Sequence, residues 1–306
     1  MLKGALKICI FILMISGISW YVASNWEMDV LKSISPNWNL LFISCIALSL
    51  FFLLQSYLGF LLLHGKPKIS LREFIPIFFI SQLGRYIPGK IWLVVGRVEL
   101  LKKKGINRDW GIFISFLEML LLLIGAGITG IGGSIFLESP QWSIARGFSI
   151  VLILIAIVII LNFRKCYELL QRLIKKTSLA QKIPFPQYPF DKFELQKMIV
   201  YFVAIWLIIG SGFYLLMDSL IPNPPNFAYA IVVFAASWTI GFLSLLSPSG
   251  IGVRESVIIG LLSPVISPTE ASIIAITSRV WFSGVELILA SLIILGDFVI
   301  PKSKVQ

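Results

Sequence analysis

Nine ionisable residues stand inside stretches of sequence that are otherwise apolar. Five of them are positively charged and four are negatively charged, so the group is close to neutral as a whole. A charge held away from water is costly, and ionisable side chains in such surroundings usually take part in function. The nine residues are Arg85, Lys90, Arg97, Glu99, Glu118, Arg254, Glu255, Arg279 and Glu286.

Two interruptions rich in proline and glycine divide the apolar stretches that carry most of these charges. The first runs from Gly84 to Lys90, and the second runs from Ser247 to Glu255. Proline removes a backbone hydrogen bond and glycine weakens a helix, so each interruption predicts a broken helix. The residues expected to break the helices are Pro88, Gly89, Pro248, Gly250 and Gly252.

The broken helices predict a binding site for a phosphate group. A free helix end exposes backbone N–H groups and the positive end of a dipole, and arginine or lysine beside it adds charge. We therefore expect Arg85, Lys90 and Arg254 to bind the phosphate of a lipid. The alternative is that Arg85 and Arg97 reach water at the cytoplasmic face and that Arg254 and Glu255 form a structural ion pair.

The other charged residues are expected to balance the charge of a cavity between the breaks. Arg279 and Glu286 are seven residues apart, which places them on one face of a helix about 10 Å apart along its axis. That separation is too long for a direct bond, so we expect each to pair with another element; the candidates are Glu255 for Arg279 and Arg97 for Glu286. Glu118 stands in an unbroken apolar run, where a proton-handling role and a structural role both remain open. The residues expected to balance charge in the cavity are Arg97, Glu99, Glu118, Glu255, Arg279 and Glu286.

The overall composition is typical of a membrane protein. Of the 306 residues, 58% are hydrophobic and 13% are charged, and the mean hydropathy is +0.92. A soluble domain of this length needs a far more polar surface. The net charge of +11 is explained by basic cytoplasmic loops, so we expect no nucleic-acid partner.

Six unbroken apolar runs and two broken ones follow one another along the chain. A run of about 18 residues or more predicts a membrane span, whereas the two pieces of Phe74–Leu101 are each too short to span. We predict an all-α, polytopic helical membrane protein with about six full crossings and two oppositely oriented re-entrant hairpins, Phe74–Leu101 and Phe227–Ile266. The alternative for the second hairpin is that Phe227–Leu246 crosses alone. The unbroken runs are Leu6–Ser24, Asn39–Leu63, Trp110–Phe136, Gly147–Leu161, Met198–Met217 and Ala271–Leu295.

The distribution of lysine and arginine supports this topology. The loops placed in the cytoplasm contain 19 of these residues, and the loops placed outside contain 2. Because cytoplasmic loops are the basic ones, we expect the chain in the bacterial inner membrane with both termini cytoplasmic. We expect one flippase-like transmembrane domain, residues 1–306, with a basic cytoplasmic loop at 162–197.

Signatures of catalysis and of metal binding are missing from the sequence. It has a single histidine, His64, and three cysteines without a CxxC pair, which argues against a metal site. It contains no GxSxG, Walker A or DxD pattern. We therefore expect no cofactor, no metal ion and no enzymatic activity.

The two interruptions resemble the motifs of a known family. Arg85–Trp92 and Ser247–Glu255, with Arg279 downstream, are similar to motifs of the lysylphosphatidylglycerol synthase transmembrane family. The resemblance extends over nearly the whole chain. The matching positions are Arg85, Pro88, Gly89, Lys90, Gly250, Gly252, Glu255 and Arg279.

The resemblance implies a flippase-like membrane domain that acts on lipids. In the best-known members this domain translocates an aminoacylated phospholipid made by a fused synthase, and stand-alone members look like proteins that handle lipids or polyprenyl-linked glycans. The chain departs from the pattern at Ser249, where many members have Gly, and at Glu118-Met119, where many have Glu-Arg. No synthase domain follows Gln306, so we expect no aminoacylation by this chain.

These observations lead us to expect the translocation or binding of an anionic lipid, either a phospholipid or a polyprenyl-linked intermediate. The alternative is a non-transporting accessory subunit that presents a lipid-linked substrate to a glycosyltransferase or a lipid synthase. A third class is a membrane enzyme that acts on lipid head groups. The expected partners are thus a lipid with an anionic head group and, in the alternative, one of those two kinds of enzyme.

Overall fold

The computed structural model describes residues 35–63, 69–86, 91–136, 165, 191–244 and 247–299. All regular secondary structure in these residues is helical, which confirms the predicted all-α class. The predicted crossings Leu6–Ser24 and Gly147–Leu161, and most of the predicted loop 162–197, lie outside the described residues.

Four of the described helices are long and apolar enough to cross a membrane, as expected for a multi-pass membrane protein. The first of these four helices, α1 (Trp38–Leu61), begins where the later helix α5 (Lys192–Leu220) ends. The Asn37 backbone N–H donates to the Ser219 carbonyl there at 2.8 Å. These two helices are therefore antiparallel. The other two long helices are α4 (Arg108–Ile135) and α8 (Pro268–Val299).

The first broken stretch forms a short helical hairpin. Helix α2 (Leu71–Gln82) continues into a 3₁₀ turn (Leu83–Tyr86) and is followed by α3 (Ile91–Lys103). Each arm of 12 or 13 residues is about 18–20 Å long, too short to cross. The Lys104 ammonium lies 2.5 Å from the Glu73 carboxylate, so the hairpin ends at the level where it began. Pro88, Gly89 and Lys90 lie outside the described residues.

The second broken stretch forms the other hairpin, from α6 (Phe227–Leu243) through a 3₁₀ turn (Pro248–Gly250) to α7 (Val253–Leu262). The Tyr229 hydroxyl, near the start of α6, donates to the carbonyl of Leu261 near the end of α7 at 2.6 Å. At the tip, a Cβ on Gly250 would lie 3.0 Å from the backbone of Gly241. Helix α7 therefore returns beside α6, which is the geometry of the predicted re-entrant hairpin.

The two hairpins open at opposite ends of α1. The first opens at the end of α1, where the rings of Phe60 and Phe74 are 6.0 Å apart. The second follows α5, whose end meets the start of α1. The tips approach each other in the interior, against α8. The helix contacts thus show that the two hairpins have the predicted opposite orientation.

A cluster of aromatic rings holds α8 against the crossing helices and the hairpins. The Phe282 ring lies 5.1 Å from Phe52 on α1 and 6.4 Å from Phe234 on α6. Phe52 also contacts Phe79 of α2, at 6.5 Å. Because Phe282 lies between Arg279 and Glu286 on α8, this packing fixes where those two charged side chains point.

The hairpin geometry predicts which loops are accessible from the same side. In a variant without the three native cysteines, Asn223→Cys and Pro264→Cys should both react with a membrane-impermeant thiol reagent added to intact cells. Lys103→Cys, at the mouth of the first hairpin, should react only after the cells are opened. All three positions are exposed, so burial does not limit the reaction. Labelling of Asn223→Cys and Pro264→Cys from opposite sides would show that α6 crosses alone.

Candidate functional site

Helix α8 binds the tips of both hairpins. The Arg279 guanidinium donates from Nη1 to the backbone carbonyl of Ser249, in the second tip, at 3.0 Å. The Tyr86 hydroxyl, in the first tip, donates to Glu286 Oε2 at 2.6 Å. Two turns of one helix therefore hold both breaks, and the residues around this junction form the candidate site.

Glu286 is fully buried and pairs with Arg85. Its Oε1 lies 3.4 Å from Nη1 of Arg85, and Arg85 also donates to the amide oxygen of Gln82. The predicted partner of Glu286 was Arg97, and that pairing is wrong. Glu286 faces the 3₁₀ turn at the tip of the first hairpin, which brings Arg85 to it and leaves Arg97 further along α3.

Arg97 instead pairs with Glu118 of α4. Both side chains are almost completely buried, the Gln55 amide nitrogen donates to Glu118 Oε1 at 3.2 Å, and Arg97 Nε donates to the Ser81 hydroxyl at 3.1 Å. These contacts support the structural one of the two roles left open for Glu118. Glu99 departs from expectation, because it is exposed on α3. Two residues along a helix correspond to about 200°, so Arg97 and Glu99 face opposite ways.

Glu255 caps the helix that follows the second break. Its Oε2 accepts the backbone N–H of Gly252 at 2.6 Å, and its Oε1 lies 3.8 Å from Nε of Arg279. The predicted pairing of Arg279 with Glu255 is therefore present, as a long contact. This carboxylate therefore occupies part of the start of α7, where the sequence analysis expected a phosphate, and satisfies one backbone N–H there.

The second tip has a left-handed backbone at three positions. The φ angles of Ser249, Gly250 and Gly252 are 52°, 73° and 85°. Glycine adopts such angles without strain, whereas a residue with a Cβ does so at a cost. The predicted breaking residues Gly250 and Gly252 thus allow the turn, and Ser249 is the strained member. Pro248 lies in the 3₁₀ turn.

Arg254 is the cation of this junction that has no anionic partner. Its side chain is 5% exposed, and it makes neither a hydrogen bond nor an ion pair with any residue that the structure describes. Its guanidinium carbon lies 4.7 Å from the centre of the Phe282 ring and 5.4 Å from that of Phe234. Gly241 leaves room for it, since a Cβ there would collide with Arg254 Cγ.

Within the described ranges, the charged side chains at the junction therefore form three ion pairs, and one guanidinium remains unpaired. Arg279 and Arg85 lie close enough to repel the charge of Arg254, and Glu255 lies close enough to attract it without forming an ion pair. An unpaired cation in such surroundings attracts an anion strongly, because little water is present to screen it. The pairs are Arg85–Glu286, Arg97–Glu118 and Arg279–Glu255.

A cavity of about 70 Å³ brings several of these side chains together. Its walls include Arg254 and Arg85 from the two hairpin tips, and the Arg97–Glu118 pair. Glu255, Arg279 and Glu286 do not line it; they hold the lining residues and the tips in place. The volume has room for several water molecules or a small polar group.

The sequence of this chain was compared with protein families and with curated proteins. Residues 6–285 match the family described as Lysylphosphatidylglycerol synthase TM region. The chain belongs to this family. The match includes both hairpins and α8 as far as Val285, and it confirms the resemblance found from the two interruptions. The comparison with curated proteins gave no match. Membership of this family indicates a role connected with membrane lipids.

Three residues that line or adjoin the cavity were not among the predicted site residues. Gln55 and Gln82 line it, and Tyr86 binds Glu286 beside it. Gln55 carried a signal, because an amide in the middle of an apolar span needs a polar partner. Tyr86 lies within the first break and Gln82 lies just before it. Any polar side chain at a helix break is a candidate for the site.

The buried Arg97–Glu118 pair makes a prediction about stability. Glu118→Gln leaves the Arg97 charge buried without a counter-ion and should lower the free energy of unfolding by about 3–5 kcal/mol. The double variant Arg97→Met/Glu118→Leu should recover most of that loss, because it leaves no buried charge. Thermal unfolding in detergent measures both effects.

The matched control for this experiment is the ion pair between Lys104 and Glu73. Its side chains are 30% and 36% exposed, so Lys104→Met should cost under about 1 kcal/mol. A double variant at Arg97 and Glu118 that is as unstable as Glu118→Gln would contradict the assignment of the pair as the cause.

The left-handed backbone of Ser249 makes a second prediction. Ser249→Gly should raise the free energy of unfolding by up to about 1 kcal/mol, since glycine removes the strain at this φ angle. The bond from Arg279 should survive, because it is accepted by the backbone carbonyl. Ser211→Gly, inside helix α5, should instead lower stability by about 0.5–1 kcal/mol. Equal destabilisation by both substitutions in a thermal unfolding assay would refute the strain argument.

Proposed function

We propose that the cavity binds the phosphate of an anionic lipid and that the protein carries the lipid head group across the membrane. The observation that carries this proposal is that Arg254 is buried and has no hydrogen-bond acceptor among the residues that the structure describes. A buried charge without a counter-ion costs several kcal/mol. A phosphate in the adjoining cavity supplies that counter-ion, and a guanidinium matches its geometry with two parallel hydrogen bonds.

The charge balance of the junction supports an anion of low charge. Three acid–base pairs are neutral, so Arg254 leaves a net charge of about +1 among the described residues. One phosphodiester cancels it. A cation is repelled by Arg254 and Arg85, and a neutral solute leaves Arg254 uncompensated. Lys90, the third predicted phosphate ligand, adds to this preference but lies outside the described residues.

The arrangement of the hairpins supports movement as well as binding. Transporters commonly place their sites near the middle of the bilayer, between broken helices of opposite orientation. Here the two hairpins open towards opposite ends of α1, and their tips meet beside the cavity. The outer faces of α1 and α8 expose large apolar side chains, such as Phe42 and Leu292. Lipid tails can remain against such faces while only the head group enters the polar interior.

The proposal predicts which lipid the purified protein retains. Native mass spectrometry of the detergent-purified protein should detect a bound anionic lipid, and zwitterionic phosphatidylcholine should compete poorly with it. Arg254→Ala should weaken retention about tenfold or more, because it removes a charge-assisted hydrogen-bond donor. Arg108→Ala is the matched control, since Arg108 is an exposed arginine at the start of α4. Equal retention of both lipid classes, unchanged in Arg254→Ala, would refute the anion site.

Reconstituted vesicles separate transport from simple binding. A fluorescent anionic lipid in the inner leaflet should become accessible to an external quencher faster with the wild-type protein than with Arg254→Ala. Retention of the lipid without transbilayer movement would instead support the accessory role, in which the chain presents a lipid-linked substrate to a glycosyltransferase or a lipid synthase.

A further inference from the structure

Two glutamines line the same cavity, and charged partners fix the orientation of both amides. Gln82 and Gln55 are only 2% and 3% exposed. Arg85 is a donor and cannot accept, so the Gln82 atom that it contacts must be the oxygen. The Glu118 carboxylate accepts from Arg97 and from Gln55, so Gln55 must turn its amide nitrogen towards it.

The remaining half of each amide is available to a ligand. Gln82 keeps its NH₂ group, which is a donor, and Gln55 keeps its carbonyl oxygen, which is an acceptor. Neither half has a partner among the residues that the structure describes. Buried amide groups without partners cost free energy. The cavity thus offers one donor and one acceptor in addition to the guanidinium of Arg254.

We infer that Gln55 and Gln82 bind a hydroxyl group next to the phosphate, so that the ligand is a phosphodiester lipid with a polyol head group. This inference rests on the proposed function. A hydroxyl both donates and accepts, so it satisfies both glutamines together. An ammonium group cannot accept from Gln82 and is repelled by the neighbouring guanidinium groups. A carboxylate cannot donate to Gln55.

Two aromatic rings in the lining of the cavity suit the carbon skeleton of a polyol. Trp238 and Phe242 line the cavity, with their rings parallel to within 4° and their centres 5.1 Å apart. Such apolar faces contact C–H groups and offer no further hydrogen-bond acceptor. The head group is therefore recognised by its phosphate and by its hydroxyl groups, at separate places in one cavity.

Two short-chain lipids that differ only in hydroxyl groups test this inference. Dioctanoyl phosphatidylglycerol and dioctanoyl phosphatidylmethanol carry the same single phosphodiester charge, and only the first has hydroxyls on its head group. Their dissociation constants for the purified full-length protein are measured by calorimetry in a non-ionic detergent. The wild-type protein should bind phosphatidylglycerol about tenfold more tightly, as expected for one or two buried hydrogen bonds.

Substitution of the glutamines should remove this preference. In Gln55→Met and Gln82→Met the two lipids should bind within about twofold of each other, because methionine fills a similar volume without hydrogen-bonding. Folding of both variants is verified separately, by thermal unfolding in detergent beside the wild type. The control Gln196→Met, on α5, should keep the full preference.

The outcomes separate this inference from the proposed function. Equal binding of the two lipids by the wild type overturns the role of the glutamines and leaves the anion site intact. A preference that persists in both glutamine variants overturns it as well. If neither lipid binds the wild type, both the hydroxyl site and the anion site are wrong.

Discussion

The fold depends on helix α8, which forms hydrogen bonds to both of the helix breaks. Backbone groups at a break have no helical partners, and such groups are tolerated at membrane depth only where protein or a wet cavity satisfies them. Arg279 of α8 donates to the carbonyl of Ser249 in one tip, and Glu286 accepts the hydroxyl of Tyr86 in the other. The two hairpins are thereby joined in the interior, and the cavity is the space left at their junction.

The breaks and the broad architecture were predictable because their signals are local. Proline and glycine end a helix wherever they stand, and the asymmetry of lysine and arginine indicates the topology without knowledge of packing. The pairing of Arg279 with Glu255 was one of two candidate pairings, and the structure contains it as a long contact. Contacts between the two ends of Phe227–Ile266 show its hairpin form. One of them is the hydrogen bond from the Tyr229 hydroxyl to the Leu261 carbonyl.

The remaining pairs were not predictable, because they depend on which helix faces meet. Arg97 turns towards α4 and finds Glu118, while Glu286 receives Arg85 from a 3₁₀ turn whose direction the sequence does not specify. Once these pairs have formed, Arg254 is the cation that has no acidic partner among the described residues. A count of charges could not identify this residue, since five cations and four anions leave one cation in excess without showing which one.

If the protein carries a lipid as proposed, the position of Glu286 has a consequence for the kinetics of that transport. Arg85 lines the cavity and at the same time lies 3.4 Å from a fully buried carboxylate that never leaves the protein. A phosphate that enters the cavity must share that guanidinium with a permanent competitor. Differences in affinity appear mainly in the rate of dissociation, so the shared arginine shortens the residence time of the cargo. A carrier must release what it binds, and the competing carboxylate favours rapid turnover over tight storage.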